Sequence, residues 1–552
     1  MNQRRRDGGG LVVDSLVNFG VEMVFAVPGE SYLPVLDALH DRPAIRLVTA
    51  RQEGGAAMMA EAWGKLTGRP GVALVTRGPG ASNAMSGLHV ARQDSTPLVL
   101  LVGQVGRGML DREAFQEIDY RRAFGQVAKW VAQVDDGRRL PEYLARAFAT
   151  ALSGRPGPVV LALPEDILSA SYDTPPARYH SRCSPHPDPR AMAELDGRLK
   201  AARRPLVLLG EADWNPSARE ALAAFVEAWQ LPTVTSFRCQ DLLDNRSPVY
   251  GGDMGLGINP SLARRAAEAD VLLAVGGRLG EVPSQGYRLL DIPHPAQELI
   301  QVHPQPEELG KVYQPTLALA CGMEPFATAA GALSVPAVVP WQEWTRRARA
   351  DYLAWSQPTR GPGRLQLAEV VHWLGKRLPD QAIITNGAGN YAAWLHRFYP
   401  YRGYRSQLAP TSGSMGYGLP AAIAAKLCYP NRPVVAFAGD GCFQMTLQEL
   451  GTAVQYGLGI VVVVVNNASW GTIRMHQERR YPGRVTGTDL VNPDFVALAR
   501  AYGAFGARVE GSEDFPEAFE AALAADGPAL LELVTDLEAL TPRATLSEIR
   551  GG

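Results

Sequence analysis

The chain of 552 residues predicts an α/β fold built as three doubly wound, parallel-sheet domains in succession. Three observations carry that expectation. The length exceeds what one hydrophobic core organises. Short apolar, β-branched runs recur, each followed by turn residues and a helical pattern. Those runs also lack in–out alternation, as expected of strands buried on both faces between helices.

In the first third the runs are 72–75, 98–101 and 159–162, and in the middle third 206–209 and 271–275. The last third has 382–384, 434–437, 460–465 and 530–534. Two stretches rich in proline read as linkers, from about Ser171 to Pro189 and from about Val335 to Gly363. Domains are therefore expected over residues 1–175, 190–335 and 362–552.

Composition narrows the function classes. With 46 % apolar and 20 % charged residues and a formal net charge of −2, the chain reads as a soluble globular protein. That charge favours neither nucleic acid nor an anionic membrane as partner. Arg4-Arg5-Arg6 is followed by Asp7 and three glycines rather than an apolar h-region, and there is no 18-residue uncharged apolar run. The five cysteines are scattered without a CxxC, which points to reduced thiols in the cytoplasm and against a disulfide framework or zinc site.

The most informative segment is Ala438-Gly439-Asp440-Gly441-Cys442, after the run 434–437. Asn466-Asn467 follows 24 residues on (442 to 465), at the end of the run 460–465. The segment Phe443 to Gly459 has the length of one crossover helix, so the two strands are expected to be neighbours with both ends on the ligand-binding edge. A carboxylate, an amide oxygen and a turn carbonyl near Ser469 are hard ligands of the kind that hold Mg²⁺ beside phosphate oxygens. Glycines flanking Asp440 let backbone N–H groups approach phosphate. Each piece alone is a common turn; the pair at this spacing is specific.

This GDG…NN pair resembles the signature of thiamine diphosphate-dependent enzymes. Over nearly its whole length the chain is similar to the three-domain branch with acetolactate synthase, benzaldehyde lyase and pyruvate oxidase. The resemblance implies pyrimidine-binding, central and diphosphate-binding domains, in that order. It implies Asp440, Asn467 and the Ser469 carbonyl as Mg²⁺ ligands, with Asn466 supporting the turn. Gly439, Gly441, Cys442, Trp470 and Gly471 would adjoin the cofactor, Cys442 standing where the family often has Ser. Gly387-Ala388-Gly389-Asn390-Tyr391 resembles the family's GxGQH diphosphate loop, with Asn390 and Tyr391 replacing Gln and His.

In the first domain, Arg51-Gln52-Glu53-Gly54-Gly55-Ala56-Ala57 and Gly78-Pro79-Gly80-Ala81-Ser82-Asn83 resemble the family's RHEQGAA and GPGATN motifs. By that match Glu53 bonds N1′ of the aminopyrimidine and so activates the cofactor. Thr411 to Pro420 resembles GAMGFGLP, which makes Met415 the wedge under the bent cofactor and the Gly413 carbonyl the acceptor of its 4′ nitrogen. Glu53 and Asp440 fall in different domains, and in this family the site forms between subunits. A homodimer is thus the implied minimum, and a homotetramer is common.

Phe115-Gln116-Glu117 resembles the synthase AFQE stretch that lines the substrate side, and Pro28-Gly29-Glu30 its PGG-type loop. Gln116, Thr472 and His476 are therefore expected to shape the substrate pocket, His476 standing where synthases have a selecting Trp. Where flavin-containing synthases read RFDDR, this chain reads Arg278-Leu279-Gly280-Glu281-Val282; Gly276-Gly277-Arg278 leaves FAD or ADP binding open. The reading is a carboligase/decarboxylase (transferase or lyase) acting on a 2-oxo acid. Its alternatives are a flavin-free lyase of 2-hydroxy ketones or 2-hydroxyacyl compounds, and a pyruvate oxidase-type flavin oxidoreductase.

Overall fold

The computed structural model describes residues 6–179 and 181–551. Arg4 and Arg5 of the basic start lie outside the described residues. The chain forms two compact units. One comprises residues 1–183 with the segments Ile423–Cys428 and Thr446–Tyr456; the other comprises the remainder.

In the first unit, β1 (Arg6–Asp7) precedes six strands: β2 (Met23–Ala26), β3 (Arg46–Thr49), β4 (Gly71–Val75), β5 (Leu98–Gln104), β6 (Trp130–Gln133) and β7 (Pro158–Pro164). β8 (Ser171–Tyr172) returns antiparallel to β1. The six form one parallel sheet ordered β3-β2-β4-β5-β7-β6. Its core is Val and Leu from β4, β5 and β7 packed on helices such as Gly8–Asn18 and Leu140–Leu152.

The second unit holds two more six-stranded parallel sheets. The central one contains β9 (Pro205–Leu209), β10 (Thr233–Ser236), β11 (Tyr250–Met254), β12 (Val271–Val275), β13 (Glu298–His303) and β14 (Leu317–Ala320). Its order is β11-β10-β9-β12-β13-β14, the arrangement of dinucleotide-binding sheets. The last contains β15 (Ile383–Asn386), β16 (Gln407–Leu408), β17 (Val434–Gly439), β18 (Val461–Asn466), β19 (Phe505–Val509) and β20 (Ala529–Val534), ordered β16-β15-β17-β18-β20-β19. The expected fold class of three parallel α/β sheets is what the structure has.

Two elements differ from expectation. The stretch 335–363 contains the helix Gln342–Trp355, anchored where the buried Trp341 donates its indole N–H to the Trp229 carbonyl at 3.1 Å. Its prolines bracket a helix whose apolar face (Thr345, Ala348) is too narrow to stand out among charged residues. Between β17 and β18 the crossover is two short helices, Asp440–Gln444 and Glu449–Gln455, rather than one. The strands are neighbours all the same, with Val435 paired to Val461.

Candidate active site

Glu53 opens the helix Glu53–Thr67, capped by the Gln52 side chain, which accepts from Gly55 N–H. Thirteen of its fifteen residues are buried, so small residues dominate and let it pass closely against the helix Gly78–Gln93. At the first helical position the Glu53 carboxylate meets the positive end of the helix dipole. It is 9 % exposed and accepts from Asn83 Nδ2 at 2.9 Å. A β-carbon on Gly80 would stand 3.0 Å from Glu53 Oε1, so the GPG turn leaves that carboxylate its space.

Glu449, which belongs to the same unit, holds this segment. Its carboxylate accepts Arg51 N–H at 3.1 and 3.2 Å, Gln52 N–H at 3.0 Å and the Thr452 hydroxyl at 2.7 Å. It is fully buried, and desolvation pushes its carboxyl above the usual range against those hydrogen bonds. Sequence reasoning missed Glu449 because no spacing links it to Arg51, 398 positions away.

In the second unit, β15 and β17 flank the point where the strand order reverses, and their carboxyl ends open into a cavity of about 740 Å³. On its wall stand Ala388, Gly389, Asn390, Tyr391, Gly413, Met415 and the whole run Gly439 to Cys442. Asn467, Ser469, Trp470, Gly471 and Thr472 complete the same wall. Gly441 is required there, since a β-carbon would lie 2.3 Å from the Trp470 ring. Gly413 has φ +67°, a left-handed turn suited to glycine.

Asp440 is 3 % exposed and accepts from Asn492 Nδ2 at 2.8 Å and Gly441 N–H at 2.9 Å. Burial raises its pKa, and every group that opposes the shift (Asn492 and the backbone of Gly441, Ala468 and Ser469) is a neutral donor. A buried carboxylate countered only by neutral dipoles fits a cation. Among the described residues there is no cluster of three or more His, Cys, Asp or Glu that could hold a metal; the oxygens beside Asp440 are those of amides and the backbone.

Asn466 turns inward, giving its amide to Glu532 at 2.7 Å and accepting from Asn492 at 2.9 Å. Asn467 stays on the cavity wall, where Ala468, at φ +52°, turns the chain toward Ser469. Asn492 was missed by sequence reasoning; its one signal is an Asn-Pro turn. Tyr391 lies beneath its loop, the hydroxyl accepting Gly387 N–H at 3.0 Å and meeting Cys442 Sγ at 3.4 Å. Cys442 Sγ also accepts Gly416 N–H at 3.3 Å, so it ties two loops. Asn390 accepts from the Thr472 hydroxyl at 2.9 Å and donates to the Leu540 carbonyl at 3.0 Å.

Family models described as thiamine pyrophosphate enzyme match three segments. The N-terminal TPP binding domain matches residues 6–123, the central domain 192–330 and the C-terminal TPP binding domain 387–533. An acetolactate synthase of Mycobacterium bovis is 32 % identical over 96 % of this chain and 88 % of its own. The acetolactate synthase isozyme 2 large subunit of Escherichia coli is 31 % identical over 97 % of both chains. A large subunit from Lactococcus lactis is 30 % identical over 96 % of this chain and 93 % of its own. The chain belongs to the thiamine pyrophosphate enzyme family, in its acetolactate synthase-like branch.

The expected substrate-side residues of this thiamine pyrophosphate enzyme fall in both units. His476 is exposed on the helix Gly471–Arg480 and does not line the cavity, whereas Thr472 does. Four positions beyond Thr472, it sits one helical turn further out. Gln116 lies in the first unit with φ +66°, its carbonyl accepting Gly78 N–H at 2.9 Å, beside Phe115, which is 74 % exposed.

The central sheet has a matching switch point between β9 and β12, where a charged pair stands. Arg278 Nε meets Glu211 Oε1 at 2.5 Å across the gap. Ala212 N–H is spent on the Gly276 carbonyl at 2.9 Å, and a β-carbon on Gly210 would lie 2.1 Å from Gly277 Cα. Asn215 caps the following helix through Ala218 N–H at 2.7 Å. A paired carboxylate and guanidinium thus stand at the turn where such sheets bind dinucleotide phosphates. Among the described residues no helix is long and apolar enough to cross a membrane, and none of the five cysteines forms a disulfide.

Proposed function

We propose that the protein is a thiamine diphosphate- and Mg²⁺-dependent carboligase/decarboxylase that takes a 2-oxo acid such as pyruvate, releases CO₂ and joins the remaining acyl unit to a second carbonyl compound. The observation that carries this reading is the cavity at the ends of β15 and β17, with a buried carboxylate and a glycine-lined floor on one wall. The acetolactate synthase relatives support the substrate class.

Bound there, thiamine diphosphate supplies an electron sink next to the carbonyl carbon, which is the chemistry decarboxylation needs. Asp440, Asn467 and the Ser469 carbonyl would hold Mg²⁺, and Asn492 orients Asp440. Met415 and the Gly413 carbonyl would set the cofactor's bend. Glu53, in a poorly hydrated helix start, would hold a proton at its carboxylate and pass it on, with Asn83 and Glu449 fixing its position. Gln116 and Thr472 would bound the substrate.

The Glu211–Arg278 pair favours a flavin-free enzyme. On the family resemblance, a homodimer is the minimum active unit, a tetramer its usual form and the cytoplasm its location. Incubation with thiamine diphosphate, Mg²⁺ and pyruvate tests the reading. Pyruvate loss with CO₂ and acetolactate is expected. A cofactor-loaded protein that leaves pyruvate and other 2-oxo acids untouched contradicts it.

A further inference from the structure

The central domain sends one buried side chain to the loops of the cofactor cavity. After β10 the chain passes through Phe237 to Arg238, which takes a left-handed backbone (φ +63°) and is 7 % exposed. A β-carbon crowds the backbone in that region, so a non-glycine residue stays there only when other contacts compensate. Its contacts include the Phe237 ring, 4.7 Å away, and two carbonyls. Arg238 Nη1 donates to the Pro410 carbonyl, and Nη2 donates to the Gly387 carbonyl at 2.8 Å.

The position of those carbonyls is informative. The ladder between β15 and β16 ends at the pair Thr385 and Leu408. Gly387 and Pro410 each lie two residues further on, where the strands have given way to the loops that wall the cavity. Gly387 opens the loop to Tyr391, and Pro410 opens the turn to Gly413 and Met415. Each oxygen also accepts locally: from Asn386 Nδ2 at 2.8 Å, and from Gly413 N–H at 2.9 Å. The guanidinium therefore acts as one more rung beyond the ladder. A planar fork can serve two carbonyls at once; an ammonium cannot in the same geometry.

Neighbouring residues extend the same clamp. Gln240 N–H donates to Gln407 Oε1 at 2.8 Å, and Asp241 accepts from Ser406 and Gln407 N–H at 3.0 and 3.2 Å. The outer edge of β16 is thus covered by the central domain. Beside Arg238 the buried His396, stacked edge-on to Phe237, is held well below its usual pKa by burial and by that guanidinium. It adds no second charge.

We propose that Arg238 is a positioning residue for the cofactor: it fixes the spacing of the diphosphate loop and the Gly413–Met415 loop, which makes the central domain part of the cofactor-binding device. The proposal rests on the cofactor reading of the cavity. It accounts for a buried arginine held in left-handed backbone at the end of β10.

The test is titration of the cofactor-stripped full chain with thiamine diphosphate and Mg²⁺, followed by tryptophan fluorescence, since Trp394 and Trp470 line the cavity. Arg238→Met and Arg238→Lys are compared with the natural chain at a temperature where circular dichroism shows each folded. Arg238→Met is expected to weaken binding by about tenfold or more, as for a lost hydrogen-bonded charge. Arg238→Lys should weaken it less and, once saturated with cofactor, turn over with lower kcat and unchanged KM. Folded variants with unaltered affinity, even if they unfold at lower temperature, would show a purely structural residue and overturn the proposal. A natural chain that fails to bind at all would overturn the cofactor reading, and the proposal with it.

Discussion

The last and central sheets make an instructive pair. Both are six-stranded and parallel, and both present two turns at the carboxyl edge where the strand order first reverses. In the last domain those turns carry Gly387-Ala388-Gly389 and Gly439-Asp440-Gly441 and open into a large cavity. In the central domain they carry Glu211 and Arg278, which close on each other. The central sheet even has the strand order of dinucleotide-binding domains. Topology therefore creates the place for a ligand, and a handful of turn residues decide whether one enters.

The comparison is tested most sharply by removing charges on the open side. Glu53→Gln should lower turnover by about a hundredfold or more while thiamine diphosphate binding remains measurable. A variant with unimpaired turnover would refute the activating role. Asp440→Asn should abolish Mg²⁺-dependent cofactor binding yet raise the unfolding temperature of the cofactor-free chain, because it removes a desolvated charge. Calorimetry with and without cofactor checks both halves. The same burial sets a pH dependence. A proton competes with the metal for a carboxylate whose pKa is raised, so metal-dependent binding should weaken on acidification beginning above the ordinary carboxylate range.

Glu449→Gln should cost about 1–3 kcal/mol of stability, since buried N–H groups of Arg51 and Gln52 lose part of their acceptor, and should lower kcat through Glu53. Denaturant unfolding and steady-state kinetics measure the two effects. On the closed side, added FAD should leave the unfolding temperature unchanged, whereas thiamine diphosphate with Mg²⁺ should raise it by several degrees. His476→Ala should be the mildest change, within about threefold in kcat/KM, as expected of an exposed side chain off the cavity wall.

The fold class was legible because β4, β5, β7, β9, β12, β17, β18 and β20 are continuous apolar strands in sheet interiors. Edge strands were not. β14 alternates buried and exposed residues, and β3 carries Arg46 on its open side. β10 is a Thr-rich strand, fully buried, where Thr233 satisfies its hydroxyl on the Leu231 carbonyl at 2.9 Å. Apolar runs announce strands packed on both faces, while edges and hydroxyl-lined strands depend on partners far away in the chain.

The cofactor cavity was largely legible for a similar reason: glycines and a lone Asp at strand ends are local signals. The residues that hold them in place were not. Asn492, Glu449 and Arg238 act across 52, 398 and 149 positions respectively. No periodicity or spacing encodes such pairings. His476, inferred from a neighbouring motif, stands one helical turn beyond Thr472 and off the cavity wall.

The most direct test of the central claim is calorimetric titration of the cofactor-free protein with thiamine diphosphate, with and without Mg²⁺, in the natural chain and in Asp440→Asn. One site per chain, dependent on Mg²⁺ and lost in Asp440→Asn, is the predicted result. Binding that ignores both the metal and the substitution, or no binding at all, would contradict the assignment of this cavity.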